Sequence, residues 1–217
     1  MNFITDPMEI EKRSFEIITE KLESEKTGEG GKRIAPEYSN VIKRVIHTTA
    51  DFDYADNLVF SDGVMEKAKA ALKNGAKIVT DTQMARAGIN KKAAAGLGVE
   101  VHCFIADPGV EKAARETGMT RAWAAVGHAA SALENPVIFA IGNAPTALIR
   151  LHGLITKDGF SPALIIAAPV GFVNVVESKE LILGLEIPYI VAKGRKGGSN
   201  VAAAICNALI YETAERI

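Results

Sequence analysis

The sequence predicts an α/β fold in which helices cover both faces of a five-stranded, mainly parallel sheet. Five short apolar segments have the length of buried strands, and a helical pattern separates each of them from the next. Strands that are joined by helices run parallel and are covered on both faces. The length of 217 residues and the apolar content of 48% suit one ordinary domain with a substantial core. We therefore expect a single domain over residues 1–217.

The N-terminal region predicts two helices before the first strand. The first helix begins at an Asp6 cap, with Pro7 in its first turn and Glu9 three residues after the cap. One face of this helix repeats every four residues and comprises Ile10, Ser14, Ile18 and Leu22. Residues 23–33 are polar and rich in glycine, which predicts a loop. A second helix is predicted from Pro36, and its buried face comprises Val41, Ile42, Val45 and Ile46.

Helical and strand patterns then alternate, and they predict one site at an edge of the sheet. The predicted strands are residues 77–80, 99–106, 137–141, 163–168 and 189–192. The predicted helices are residues 64–72, a short segment before Gly98, and residues 110–117, 120–132, 145–155, 178–183 and 200–216. The turns after the strands contain Asp81-Thr82, Asp107-Pro108, Gly142-Asn143, Val170-Gly171-Phe172 and the stretch from Gly194 to Ser199. Because ligands bind at the carboxyl ends of parallel strands, these turns predict a single site.

The fifth turn, Gly194-Arg195-Lys196-Gly197-Gly198-Ser199, is here called the glycine loop. Its glycines let the backbone turn sharply and bring N–H groups close to a ligand. The helix that follows adds free amides and the positive end of its dipole, and two cations lie beside them. The loop predicts an anion site for phosphate or carboxylate. It does not fit the Gly-x-x-x-x-Gly-Lys-Ser/Thr pattern of P-loops.

The composition argues against several classes of function. The net charge of −1 is not that of a general nucleic-acid binder. No apolar stretch reaches the length of a membrane span, and the N-terminus lacks a secretory signal pattern. Cys103 and Cys206 lie in apolar segments, which suits a reducing compartment, so we expect a cytoplasmic protein. The sequence contains no His-Glu-x-x-His, paired Cys-x-x-Cys or Gly-x-Ser-x-Gly motif, so we expect neither a protein-bound catalytic metal nor a hydrolase triad.

His47 is the candidate acid–base residue. It ends the second helix pattern, and Thr48, Thr49 and Asp51 could orient its ring. A helix C-terminus or a nearby carboxylate favours the imidazolium form, which can donate a proton near neutral pH. A histidine at this position is also a common helix terminus without chemistry, and spacing alone leaves both interpretations open. The other three histidines are His102, His128 and His152. None of them has a second potential metal ligand at a suitable spacing in the sequence.

Three polar residues have both a structural and a functional interpretation, and a fourth, Lys179, is given a structural one. Arg121 opens a helix after Gly118, and it is either a solvated or capping residue or a bidentate clamp for a carboxylate. Asn143 either satisfies its own turn or reaches a ligand. Ser14 is either a tolerated small residue in a helix contact or part of the site. Lys179, in Glu177-Ser178-Lys179, is interpreted as part of a helix start.

Several sequence blocks together resemble the precorrin-8X methylmutase family. They are IHTTAD at 46–51, DTxMxxAG at 81–88, IGNAPTAL at 141–148, PVGFV at 169–173 with ESK at 177–179, and GRKGGS at 194–199 with NAL at 207–209. The blocks occur in the family's order and span nearly the whole chain, from Ser14-Phe15 to Leu209. Ala167 departs from the glycine expected there, and residues 23–33 carry none of the family pattern.

The resemblance implies an isomerase of cobalamin biosynthesis. Such an enzyme shifts a methyl group between adjacent ring-C carbons of precorrin-8X or cobalt-precorrin-8, giving hydrogenobyrinate or cobyrinate. The resemblance also implies a flavodoxin-like, three-layer α/β/α fold with an N-terminal helical extension, acting as a homodimer with the site near the subunit interface. His47 matches the residue viewed in the family as the proton donor to the macrocycle. No residue distinguishes the metal-free from the cobalt-containing substrate.

The substrate expected from the resemblance is a macrocycle edged with carboxylates, which suits the predicted anion site. The expected substrate-binding residues are Ser14, Thr48, Asp81, Thr82, Arg121, Asn143, Val170, Gly171, Phe172, Gly194, Arg195, Lys196, Gly197, Gly198 and Ser199. A concerted methyl shift needs a polarised ring and a fixed substrate, so we expect no cofactor. Two alternatives stay open, a non-catalytic tetrapyrrole carrier and an α/β enzyme acting on a phosphorylated metabolite.

Overall fold

A mostly parallel sheet of six strands forms the centre of the computed structural model, which describes residues 3–25 and 34–214. The strands are β1 (Leu58–Phe60), β2 (Lys77–Thr80), β3 (Glu100–His102), β4 (Val137–Ile141), β5 (Leu164–Ala167) and β6 (Tyr189–Ala192). Their order is β1-β6-β5-β4-β2-β3, and every neighbouring pair is parallel except β1 with β6. The predicted parallel sheet is therefore confirmed.

Two strand predictions need correction. The predicted count of five strands is wrong because β1 adds a sixth, antiparallel strand at the edge. This strand has three residues, too few to show an apolar alternation in the sequence. The strand predicted over 99–106 is shorter, because a turn begins where the amide of Asp107 donates to the carbonyl of Phe104.

Helices cover both faces of this sheet. Those within the described residues are α1 (Pro7–Glu25), α2 (Ser39–Thr49), α3 (Tyr54–Asn57), α4 (Val64–Lys73), α5 (Gln83–Gly88), α6 (Lys91–Ala95), α7 (Pro108–Thr117), α8 (Arg121–Ala132), α9 (Pro145–Asp158), α10 (Val175–Leu183) and α11 (Ser199–Thr213). The predicted cap of α1 is confirmed, because Asp6 Oδ1 accepts hydrogen bonds from the amides of Met8 and Glu9. The second helix is preceded by a 3-10 turn, Pro36–Tyr38.

Some predicted helix boundaries also change. Residues 23–25, predicted as the start of a loop, belong to α1, and the rest of that predicted loop, 26–33, lies outside the described residues. The structure describes the last helix to Thr213, and residues 215–217 lie outside the description. The helix predicted over 178–183 begins three residues earlier, at Val175, because Asn174 takes a left-handed conformation immediately before it.

The period of two along each strand divides the core between the two faces of the sheet. Ile78, Ile138 and Ile166 point to one face, where they pack with α2, α4 and α11. Val79, Phe139 and Ile165 point to the other face, where they pack with α8, α9 and α10. Helices thus pack on both faces of one sheet, which confirms the predicted three-layer α/β/α arrangement.

The N-terminal helix α1 packs outside the first helical layer, against α2. Ile18 and Leu22 are buried in this contact, and the guanidinium of Arg44 donates to the carboxylate of Glu11. Near the other end of the contact, the ammonium of Lys21 lies 4.0 Å from the centroid of the Phe52 ring. The predicted N-terminal helical extension is therefore confirmed, and it lies along the helix that carries His47.

Candidate functional site

The turns after β2, β4, β5 and β6 meet at one edge of the sheet. Thr82 Oγ1 and Ser199 Oγ share a hydrogen bond of 2.7 Å, which joins the turn after β2 to the glycine loop. A Cβ atom at Gly142 would lie 2.7 Å from the Cα of Ser199, so the turn after β4 needs a glycine there. The amide of Gly198 donates to the carbonyl of Ala168 over 2.8 Å. Four of the five predicted turns therefore lie side by side.

The fifth turn, Asp107-Pro108, follows the edge strand β3. Its carboxylate caps α7, since Asp107 Oδ1 accepts hydrogen bonds from the amides of Gly109 and Val110. No contact described in the structure joins this turn to the glycine loop. The side chain of Asp107 thus has a structural partner of its own, and we do not include it in the site.

Asp81 lies below the edge and holds the turn after β4. Its Oδ1 accepts a hydrogen bond from the amide of Gly142 at 2.9 Å, and its Oδ2 accepts from the amides of Asn143 at 2.8 Å and Ala144 at 2.7 Å. The residue is 4% exposed, and burial raises the pKa of its carboxyl while the three amides act in the opposite direction. The amides of this turn are therefore occupied by a carboxylate of the protein, and Asn143 is left exposed above them.

The glycine loop needs its glycines for two separate reasons. Gly194 and Gly198 have φ of 72° and 140°, a backbone region that residues with a Cβ rarely adopt. At Gly197 a Cβ would collide with the carbonyl oxygen of Ala168, since the loop lies directly on the turn after β5. A second contact, from the amide of Gly171 to the carbonyl of Arg195 at 3.2 Å, fixes the same two segments together.

Lys179 lies beneath the glycine loop, and the sequence interpretation of this residue as part of a helix start is wrong. It belongs to the interior of α10 and is 1% exposed. Its Nζ donates to the carbonyl oxygens of Gly194 at 2.8 Å and Lys196 at 2.9 Å. Burial lowers the pKa of Lys179 to about 8.

A sequence signal for this role exists. The buried residues of α10 are Val175, Ser178, Lys179 and Ile182, which recur at the spacing of one helical face. A lysine on such a face must find internal partners, because an unpaired ammonium is costly to bury. The apolar spacing of the helix therefore distinguishes Lys179 from a solvated lysine.

His47 lies in the last turn of α2 with its side chain exposed. Its ring stacks on Phe15 of α1, with centroids 5.4 Å apart and an interplanar angle of 26°. The expectation that Thr48, Thr49 and Asp51 orient the ring is not met, because no hydrogen bond to His47 occurs among residues 3–25 and 34–214. The left-handed conformation of Ala50, with φ of 54°, turns the chain so that Asp51 contacts the glycine loop instead.

An ion-pair cluster joins the end of the His47 helix to the glycine loop. Lys196 Nζ lies 2.6 Å from Asp51 Oδ2 and 2.6 Å from Asp53 Oδ2. The hydrogen bond from Lys196 lowers the pKa of Asp51, and the two carboxylates raise the pKa of Lys196 above its ordinary value. The structure thus places the helix that carries His47 beside the glycine loop, although the two are far apart in sequence.

Apolar and cationic groups share the surface next to this loop. Phe172 is 84% exposed, and the neighbouring Val170 and Val173 are exposed as well. The guanidinium of Arg195 lies 5.9 Å from the centroid of the Phe172 ring. Gly171, with φ of 144°, allows the turn that presents these side chains. Such a surface suits a flat apolar molecule with acidic substituents.

Within the described part of the chain, no hydrogen bond or ion pair joins the other predicted residues Arg121, Thr48 and Ser14 to the glycine loop. Arg121 is exposed at the first position of α8, and Thr120 Oγ1 and Thr146 Oγ1 share a hydrogen bond of 2.7 Å that joins the starts of α8 and α9. Thr48 is exposed beside His47. Ser14 is half-buried, and its Oγ donates to the carbonyl of Ile10 at 2.8 Å, so its hydroxyl proton has a local acceptor.

A cavity of about 750 Å³ lies between α1, α2 and α11 rather than at the strand ends. Its lining includes Phe15, Arg44 and Tyr211. Through Phe15, which also stacks on His47, this cavity adjoins the histidine. The sequence alone did not reveal it, because its walls come from three helices distant in the chain.

Metal-binding clusters and membrane-spanning helices are both absent from the described residues. In residues 3–25 and 34–214, no group of three or more histidine, cysteine, aspartate or glutamate side chains is placed to hold a metal ion. Within the same ranges, no helix has the length and apolar character needed to cross a bilayer.

Comparisons with known proteins agree with this structure. The sequence profile of the family described as CbiC, precorrin-8X methylmutase, matches residues 9–212. The cobalt-precorrin-8 methylmutase of Salmonella typhimurium is 46% identical over 217 residues, which covers 99% of this chain and 100% of that protein. The precorrin-8X methylmutase of Pseudomonas aeruginosa is 36% identical over 214 residues, covering 98% of this chain and 99% of its own.

A solved structure shows the same fold. The crystal structure of the precorrin-8X methylmutase from Thermus thermophilus superposes with a TM-score of 0.84 at 38% sequence identity, covering 95% of this chain and 98% of the other. The sequence profile, the relatives and the structure all agree over nearly the full chain. The chain therefore belongs to the precorrin-8X methylmutase family, the methyl-shifting isomerases of cobalamin biosynthesis.

Proposed function

We propose that the tetrapyrrole binds along the edge formed by the glycine loop and that His47 donates a proton to the macrocycle. The observation that carries this proposal is the contact of Lys196 with Asp51 and Asp53, each at 2.6 Å. This contact brings the end of the His47 helix to the loop best suited to hold an acidic substrate. A proton donor and an anion site then lie within reach of one large ligand.

The substrate contacts proposed here follow from the chemistry of each group. Free amides of the glycine loop and the guanidinium groups of Arg121 and Arg195 would bind carboxylates at the rim of the tetrapyrrole. Val170 and Phe172 would cover its apolar face. Lys196 is already paired with two carboxylates, so a substrate carboxylate would have to compete with them.

The remaining expected contacts divide into three groups. Ser14, Thr48 and Asn143 would offer polar side chains to the substrate, and Thr82 and Ser199 would contribute through the hydroxyls that bond to each other. Asp81 is buried and would act indirectly, by fixing the turn that carries Asn143. Gly171, Gly194, Gly197 and Gly198 would contribute backbone shape.

The proposed mechanism gives the protein a limited chemical task. In the methyl shift, one carbon–carbon bond breaks while a bond to the neighbouring ring carbon forms. Protonation by His47 would draw electron density through the conjugated ring and lower the barrier to this shift. Because substrate and product are isomers, the proton must be returned when the reaction is complete. This scheme requires no protein-bound cofactor.

The substrate proposed for this chain is the cobalt-containing form. The relatives with 46% and 42% identity carry the name cobalt-precorrin-8 methylmutase, whereas three proteins named precorrin-8X methylmutase have 38%, 36% and 35% identity. Absorption spectra recorded during incubation with each substrate form in turn would test this preference. We expect a higher kcat/KM for the cobalt form, and faster conversion of the metal-free form would contradict the proposal.

We also propose a homodimer in the cytoplasm. Helix α1 and the residues before it expose large apolar side chains, among them Phe3, Met8 and Ile17, which suits a surface covered by a second copy. Cys103 and Cys206 are both free thiols, as expected in a reducing compartment. Light scattering on the purified protein would test the dimer, and a monomeric mass at micromolar concentration would contradict it.

The central test of the proposal is the variant His47→Ala. We expect kcat to fall by about 10²- to 10⁴-fold, the usual contribution of a general acid, while the affinity for the product is retained. Single-turnover spectra with cobalt-precorrin-8 and titration with the product would measure the two quantities. Unchanged turnover by the folded variant would remove His47 from the mechanism.

The matched control is His152→Ala, which removes a histidine from α9 on another face of the protein. We expect this variant to retain the kcat of the wild type.

If the wild type itself binds the tetrapyrrole but leaves the methyl group in place, the protein is a carrier and the proposed mechanism fails.

A further inference from the structure

The ammonium of Lys179 is buried under the glycine loop without an acidic partner. Within residues 3–25 and 34–214, no carboxylate lies within ion-pair distance of it. Its described bonds go to the carbonyl oxygens of Gly194 and Lys196. Burying a lone cation is costly, and an apolar side chain of similar length would fill the same volume without that cost. A lysine at this position therefore needs a reason beyond packing.

The two carbonyls fix the direction of two amides. In a planar trans peptide, the C=O of one residue and the N–H of the next point in opposite directions. The peptide bonds after Gly194 and Lys196 are trans, since the cis bond in the described chain is Asn135–Pro136. Because both carbonyls point toward Lys179, the amides of Arg195 and Gly197 point away from it.

These two amides are left without protein acceptors. Among the described residues, no carbonyl or side-chain oxygen accepts a hydrogen bond from the N–H of Arg195 or Gly197. By contrast, the amide of Gly198 donates to Ala168, which closes the loop against β5. Lys179 thus occupies the carbonyls of the loop and leaves two of its amides for a ligand.

We propose that Lys179 is a positioning residue that holds the glycine loop with the amides of Arg195 and Gly197 turned toward a carboxylate of the bound tetrapyrrole. The proposal rests on the proposed function of the loop as part of the substrate site. Its cation also lies behind the amides and favours negative charge on their outer side. The compact ammonium has three donors in tetrahedral directions, of which two reach the carbonyls.

Lys179→Met tests this role, because methionine has similar volume but cannot donate to the carbonyls. We expect KM for cobalt-precorrin-8 and the Kd of the product each to rise at least tenfold, while kcat at saturating substrate changes by less than about threefold. Loss of a contact made equally in the ground state and the transition state has this effect. A fall in kcat with unchanged KM and Kd would overturn the proposal.

Hydrogen exchange without any substrate tests the loop conformation independently of activity. We expect faster exchange in peptides that cover residues 194–198 of Lys179→Met and wild-type exchange in the central strands. Faster exchange throughout the sheet would show a general structural role and would overturn the proposal. If the wild type neither binds nor converts the tetrapyrrole, the proposed function fails, while the exchange result still decides what Lys179 does to the loop.

Two further variants complete the experiment. Lys193→Met removes an exposed lysine next to the loop, and we expect wild-type KM, Kd and exchange. If Lys179→Met does not fold, Lys179→Arg decides the question, because its longer and planar fork keeps the charge but displaces the carbonyls. We expect its product Kd to rise three- to tenfold, and a wild-type Kd would overturn the proposal.

Discussion

The turn after β4 and the glycine loop after β6 lie side by side, and both are glycine-containing segments that lead into a helix. The amides of the first turn, at Gly142, Asn143 and Ala144, all donate to the buried carboxylate of Asp81. In the glycine loop the buried group is the cation Lys179, which binds carbonyls. A buried carboxylate accepts hydrogen bonds from the amides of a turn, so they are not free to bind a ligand. A buried ammonium donates to the carbonyls instead and leaves the amides for a ligand.

The largest effect that would test this comparison is expected for Asp81→Asn. An asparagine offers one acceptor oxygen and an NH₂ group that faces an amide, so at least one buried N–H loses its partner. We expect the free energy of unfolding to fall by about 2–4 kcal/mol, measured by urea denaturation.

The control for this variant is Asp158→Asn, at the exposed end of α9, where we expect a change within about 0.5 kcal/mol. If Asp81→Asn keeps wild-type stability and instead weakens product binding, the proposed difference between the two turns is contradicted. In that case Asp81 contacts the ligand directly, as the sequence alone predicted.

A smaller effect is expected for Gly197→Ala, which tests the other turn. The added Cβ would collide with the carbonyl oxygen of Ala168 and lie 2.7 Å from that of Pro169, so the loop must move away from the turn after β5. We expect stability to fall by about 1–3 kcal/mol, as for other overpacked sites. Product affinity should fall at least tenfold, which is about 1.4 kcal/mol of binding free energy.

The matched control is Gly153→Ala in α9, where a Cβ would meet no atom within 4 Å. Alanine is the better helix former, so we expect this variant to be neutral or more stable by up to about 1 kcal/mol. Wild-type product affinity in folded Gly197→Ala would show that the position of the loop does not matter for binding.

The smallest effect is expected for Asp51→Asn. This variant tests whether the exposed ion pair of Asp51 with Lys196, and not the buried Lys179, holds the glycine loop in place. The hydrogen bond from Lys196 lowers the pKa of Asp51 in the folded protein. A lowered pKa means that this stabilisation is present above the unfolded pKa of about 3.9 and is lost as the pH falls below it.

Chemical denaturation at a series of pH values would measure this dependence. We expect the wild type and Asp51→Asn to differ slightly at pH 7 and to converge below about pH 4. A difference that persists unchanged in strong acid would mean that Asp51 acts through packing or backbone bonds, such as the one it accepts from the amide of Asp53.

The sequence predicted the helical and strand pattern well because apolar spacing carries that information locally. It also predicted that five turns form one site, because the carboxyl ends of parallel strands share an edge, and contacts join four of them but not Asp107-Pro108. It missed β1, which is too short for a pattern, and it misjudged Lys179, whose partners lie 15 and 17 residues away in another segment. The partners of Lys196 are still more distant in the chain, so their contact depends on tertiary structure alone.

The short antiparallel strand β1 has a consequence for the order of events during folding. It pairs Leu58 with Ala192, and the amide of Lys193 donates to the carbonyl of Asn57 at 2.8 Å. Contacts between such distant parts of a chain form late, because a long loop must first be closed. A nascent chain in which β1 has been synthesised and β6 has not contains His47 but lacks the glycine loop. His47 therefore acquires the glycine loop as a neighbour only when the last quarter of the polypeptide has been synthesised and β6 has joined the sheet.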